Sequence, residues 1–139
     1  MNIYNRPFDD QSQVRIRLET IATYAILKTI KEKRYTLLWS FMLEFENSLN
    51  PHEDIKMEIG MTSSLALEYI DMAEDILEKA KVLELKDIKP RDAMHLACAA
   101  KGAADYFLTC DDKLIKKAHF IKDEFIIINP IEFIRTEAK

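Results

Sequence analysis

The chemistry this chain could carry rests on a few acids and one histidine. Two adjacent carboxylates, Asp111 and Asp112, follow the short apolar run Tyr106-Phe107-Leu108-Thr109. An Asp at such a point often caps the helix that follows, but one cap is enough, and the pair leaves a carboxylate over. Asp92 comes two residues after Pro90, in the first turn of a helix, where the helix dipole favours negative charge. Glu44 and Glu46 lie in the segment after Trp39. Helical spacing sets Glu46 on a face with Met42 and Leu49, and sets Glu44 with Ser40, Asn47 and Ser48 on a face read as solvent-facing. A carboxylate on an apolar face needs a partner, because burying it unpaired is costly, so Glu46 is the stronger candidate. His95, one turn on from Asp92, reads first as a packed core residue and second as a hydrogen-bonding support for Asp92.

Glu46, Asp92 and Asp111 belong to three separate segments, each able to reach one rim of a sheet. Carboxylates brought together repel one another and raise their own pKa values unless a cation lies between them. Oxygen-only ligands suit Mg²⁺ or Mn²⁺ rather than zinc. Such a site activates water and steadies the leaving oxygen in phosphodiester cleavage. The expected geometry is therefore a gathering of Glu46, Asp92 and Asp111, with Glu44 pointing away and Asp112 as a neighbouring candidate metal ligand.

The elements that must position these residues are legible as periodicity and caps. Residues 2–12 read as a loop, since Asn5-Arg6-Pro7 with Asp9 and Asp10 carries turn and cap chemistry. A helix is expected over 11–33, with Val14, Leu18, Ile21, Ala25 and Leu27 near helical spacing. Residues 35–39 suit a buried parallel strand, and Ser40 an N-cap for a helix reaching Leu49, closed by Asn50-Pro51. Further helices are expected over 51–59 and 63–81, the second with Leu67, Ile70, Ala73, Ile76 and Leu77 on one face. Met57, Met61, Leu65 and Tyr69 in this region read as core rather than interface. Pro90 opens a helix that Gly102 ends. A strand at 106–109, a short helix at 112–118, a strand at 125–128 and a last helix from Pro130 complete the chain. Strands alternating with helices in this way imply a three-layer α/β/α sandwich around one mainly parallel sheet. Ligands of such folds bind beyond the carboxyl ends of the strands, where the acids are expected.

With 139 residues, 48% of them hydrophobic, the chain is expected to form one domain with its own core. A net charge of −4 argues against a passive coat on nucleic acid but not against a nuclease, whose acids are neutralised by bound metal. Cys98 and Cys110 are neither CxxC-spaced nor near a histidine cluster, so both are expected to be reduced and structural. No apolar run is long enough to span a membrane and no leader opens the chain, so a cytoplasmic protein is expected. Two glycines cannot build a Rossmann phosphate loop. A phosphoacceptor receiver domain fits poorly too, because its acid pair follows the first strand and a lysine follows its last long strand. Here the pair comes late, and residues 125–128 lead into Asn129-Pro130.

The motifs, taken with their order, resemble the PIN domain family, and more closely its VapC-like toxin branch. The resemblance is carried by Asn5-Arg6-Pro7-Phe8-Asp9-Asp10, by Trp39-Ser40 with Glu46 following, by Arg91-Asp92-Ala93-Met94-His95-Leu96-Ala97, and by Phe107-Leu108-Thr109-Cys110-Asp111. It implies that Glu46, Asp92 and Asp111 bind divalent metal for cleavage of single-stranded RNA, with an antitoxin protein and a second copy of the chain as partners. PIN domains begin with a hydrophobic strand ending in Asp, in the middle of the sheet. By the family's spacing that acid falls just before Met1, and Asp9 and Asp10 lie too far down the loop to replace it. The resemblance therefore implies an endonuclease weakened by one missing acid, or alternatively a catalytically inactive scaffold that binds a protein or RNA.

Overall fold

The structure, a computed structural model that describes residues 2–137, has an α/β fold with parallel strand pairing. A helical turn α1 (Asn2–Asn5) and a 3-10 turn (Arg6–Phe8) lead into the long helix α2 (Val14–Lys31). Strand β1 (Leu38–Ser40), helices α3 (Phe41–Ser48) and α4 (Glu53–Thr62), and strand β2 (Glu68–Ile70) follow. Then come α5 (Glu74–Leu85), α6 (Pro90–Lys101), β3 (Tyr106–Leu108), α7 (Asp112–Lys117), β4 (Ile126–Ile128) and α8 (Pro130–Glu137).

Local chemistry sets several of these boundaries. Ser40 is extended, and its side chain accepts a hydrogen bond from the Leu43 N–H at 3.2 Å, capping α3. Pro90, whose fixed φ suits the first turn and whose missing N–H is not needed there, opens α6. Gly102 ends it for a reason of space: a Cβ there would come within 2.9 Å of the Ile70 and Leu38 side chains, so α6 ends directly against β1 and β2. The core lies between α5, α6 and the β3–β4 pair, with Ile76, Leu83, Leu96, Ala97, Leu114 and Phe125 buried.

Several expectations are corrected. Residues 2–5 are helical rather than loop, held by tertiary contacts of Asn2 and Tyr4 that no local pattern encodes. The single helix expected over 63–81 is a 3-10 turn, strand β2 and only then α5. β2 pairs parallel with β1 in the register Trp39↔Tyr69, so its strand state depends on a partner 30 residues away. Met57, Met61 and Tyr69 are exposed rather than core, and so is Leu67.

α2 presents the opposite face to that expected. Val14, Leu18, Ile21 and Tyr24 are exposed, while Glu19, Thr20 and Thr23 are buried. The polar groups can go inside because they are satisfied there. Thr20 donates to the Ile16 carbonyl and Thr23 to the Glu19 carbonyl, and the Glu19 carboxylate receives Arg6, Arg15 and Asn129.

The strands form two parallel pairs, β1–β2 and β3–β4, rather than one sheet, and among the described residues no strand joins them. Side chains tie β1 to β3 at both ends. The hydroxyls of Tyr35 and Tyr106 both donate to Glu137, at 3.0 and 2.7 Å, and both rings pack edge-on against Phe133. At the carboxyl ends α1 makes the bridge. Tyr4 packs edge-on against Trp39, and Asn2 donates to Thr109 Oγ1 at 3.0 Å while accepting from the Cys110 N–H at 3.1 Å. No helix among the described residues is long and apolar enough to cross a membrane.

Candidate active site

The carboxyl ends of β1 and β3 run straight into α3 and α7, and α6 packs against α3 beside them. Asp111 caps α7: its Oδ1 accepts from the N–H groups of Lys113 and Leu114 at 3.0 and 3.2 Å. The capping reading is therefore correct, and it uses one oxygen. The other makes no hydrogen bond among the described residues.

Asp92 lies half-buried in the first turn of α6 and makes no ion pair or hydrogen bond among the described residues. Burial pushes its carboxyl above the usual range, and the charge of Asp111 pushes it further, against the opposing effects of His95 and Lys89. The charge of Asp111 thus bears on Asp92, and Lys89 offsets it only in part.

Glu46 is turned inward and Glu44 outward, as the face assignment requires. Glu46 accepts a hydrogen bond from His95 Nε2, and its side chain is 12% exposed. Burial pushes the Glu46 carboxyl up, but the His95 contact together with Arg91 brings it below its ordinary value. Glu44 is exposed and accepts from Trp39 Nε1 at 2.8 Å. The rest of the face assignment fails, since Leu49 is exposed and Asn47 is buried. His95, also buried, is more than a packed core residue, and its hydrogen-bond partner is Glu46 rather than Asp92.

Asp112 is engaged elsewhere. Arg15 grips both its oxygens, at 2.7 and 2.8 Å, and this hydrogen bonding holds its carboxyl below the usual range. Asp9 pairs with Arg6 at 2.8 Å, and Asp10 accepts from the Ser12 N–H. Cys98 and Cys110 are free and buried, and burial pushes both thiols up to about 11, as inert structural cysteines require.

Among the described residues no three His, Cys, Asp or Glu side chains come together closely enough to hold a metal ion. Asp92 lies within reach of the charge of Asp111, and the third acid, Glu46, is held by His95. A pair still fits a hard cation, because Mg²⁺ keeps several waters and is commonly held by one or two carboxylates plus substrate phosphates. Sequence reasoning missed the buried Glu19, for which only the Arg15–Glu19 spacing of one helical turn was a signal. It also gave no role to Asn47 and Arg91, which line a cleft with Glu46, although Arg91 opens the motif that carries Asp92.

Compared with known protein families, residues 12–120 match the PIN domain. No curated protein and no solved structure matches the chain.

Proposed function

The chain belongs to the PIN domain family, whose activity is of nuclease type, and from that premise we propose a metal-dependent endonuclease for single-stranded RNA, of the VapC-like toxin kind. The observation that carries the reading is Asp92, a half-buried carboxylate without a hydrogen-bond partner among the described residues, which burial and the charge of Asp111 at the start of α7 both make less acidic. Like charges left uncompensated cost stability and are the mark of a site awaiting a cation.

Asp92 and Asp111 would hold Mg²⁺ or Mn²⁺, with Glu46 next to join once a cation competes with His95. When bound, the ion supplies charge stabilisation at the phosphate and a more acidic water. The chain's own contribution is positional. The cap on α7 fixes Asp111, the first turn of α6 fixes Asp92, and His95 Nε2 holds Glu46 Oε1 and can pass it a proton. An antitoxin or a second copy is expected on the apolar side chains left exposed by α2 and α4, such as Val14, Ile21, Met57 and Met61.

The test is cleavage of single-stranded RNA with added Mn²⁺, with EDTA, and by Asp92→Asn. EDTA-sensitive cleavage that Asp92→Asn abolishes supports the reading. RNA binding without cleavage would replace it with an inactive PIN scaffold. That second reading is favoured by the prior engagement of Glu46 by His95 and of Asp111 by its cap.

A further inference from the structure

Two clefts of similar size indent the surface, and they differ in how their polar groups are satisfied. One, about 320 Å³, is lined by Asp75, Lys79, Lys101 and Glu124 among others. Its charges are already paired, Lys101 with Asp75 at 2.6 Å and Lys79 with Glu124 at 2.9 Å. The other, about 310 Å³, is lined by Asn5, Glu46, Asn47, Asn50, Pro51 and Arg91, with Leu49 at its edge. It shares Glu46 with the candidate active site.

Its polar groups are not all satisfied. Asn47 is 5% exposed, and its Nδ2 donates to the Lys56 carbonyl at 3.0 Å. Its Oδ1 is buried without a hydrogen-bond partner, alone in this among the side-chain atoms of the described residues. A buried acceptor left without a donor is costly and calls for an explanation. Arg91 is exposed and forms no ion pair among the described residues. It follows Pro90 in the first turn of α6, next in sequence to Asp92.

We propose that this cleft binds one nucleotide of the single-stranded RNA next to the scissile phosphate, Arg91 taking a backbone phosphate and Asn47 accepting an N–H from the base edge. The inference rests on the endonuclease reading for its ligand class. The volume is at the lower end of ligand pockets and suits a single nucleotide. With Nδ2 already committed to α4, Asn47 offers the base an acceptor only, so it selects an edge with a donor. The exposed Leu49 and the Pro51 ring give the base an apolar surface. Glu46 on the same wall disfavours a free anion, so a phosphate must reach Arg91 from the outer side of the cleft, as a chain passing along it would.

The test is binding of a fluorescent eight-nucleotide single-stranded RNA to Asp92→Asn protein, in Mg²⁺, across a salt series. Adding Arg91→Ala should weaken binding about tenfold and reduce the salt slope by about one. Adding Asn47→Leu should weaken it about tenfold at unchanged slope and flatten differences between oligo(A), oligo(C) and oligo(U). Arg91→Lys should restore the slope, a rescue that a structural role would not give. If Asn47→Leu fails to fold, Arg91→Ala at its exposed position still decides. Unchanged affinity in the Arg91→Ala protein, or no RNA binding by the Asp92→Asn parent, overturns the proposal. Wild-type cleavage with unaffected binding sinks this inference alone, whereas the stated losses without wild-type cleavage sink the nuclease reading and leave the nucleotide cleft.

Discussion

Glu19 and the Asp92–Asp111 pair are acidic centres built in opposite ways. Glu19 is fully buried, and both oxygens are claimed: Arg6 reaches Oε1 at 3.0 Å, while Arg15 and Asn129 reach Oε2 at 3.3 and 2.5 Å. Through these contacts it ties the Arg6 turn, α2 and the start of α8 together, and Arg15 extends the network to Asp112 on α7. Asp92 is half-buried and Asp111 exposed, and the charges of His95 and Lys89 leave the Asp92 carboxyl still raised. A buried acid with complete partners serves the fold, whereas a half-buried acid without a hydrogen-bond partner is free to take a ligand. Depth of burial alone would have pointed to the wrong centre.

The hardest blow to this contrast would come at Glu19. Glu19→Ala removes the buried acceptor that Arg6, Arg15 and Asn129 share, while Arg6 keeps Asp9 and Arg15 keeps Asp112, so a loss of about 2–3 kcal/mol is expected in urea unfolding. A loss below about 1 kcal/mol would mean the network is not holding these elements together. Asp92→Asn should act the other way on stability while removing function. Cleavage should fall at least about a hundredfold, and the melting temperature should rise, since one of two repelling charges is gone. A lower melting temperature would show that the Asp92 carboxylate serves the fold instead.

Acidity separates the members of the site itself. Asp92 is raised in the folded state, so its contribution is fully present below the usual carboxylate range and is lost as pH rises through its folded value. Glu46 is lowered, so its contribution is present above that range and is lost as pH falls through its folded value. Wild type should therefore gain on Asp92→Asn as pH falls from neutrality, and lose its advantage over Glu46→Gln as pH falls below the usual carboxylate range. Thermal melts of the three proteins across that range check both signs. The smallest effect is expected at the exposed Arg15–Asp112 pair. Asp112→Asn should cost about 0.2–1 kcal/mol, less in high salt, and leave cleavage intact. Loss of cleavage there would return Asp112 to the metal site.

Where an interaction closes within one turn of chain, the amino-acid sequence determined it. Ser40 and Asp111 cap the helices that follow them, Pro90 opens α6, Gly102 ends it, and Glu46 faces inward while Glu44 faces out. For Ser40, Asp111 and Pro90 the partner is a neighbour in the chain, so residue type and spacing carry the information; Gly102 and Glu46 stood out by type and spacing too, but Leu38, Ile70 and His95, which give them their reason, lie far away in sequence. The alternation of elements similarly announced parallel pairing and the rim where the acids lie. Tertiary structure alone decided the rest. β2 is a strand because β1 lies alongside it, and α2 can bury Glu19 because Arg6 from the preceding turn and Asn129 from 110 residues on meet it there. His95 chose Glu46, 49 residues away, over Asp92 one turn off, and Arg15 drew Asp112 away from the site across 97 residues. Periodicity shows which residues share a face, but burial and pairing are settled by what packs against that face, and those partners carry no signal in the local sequence.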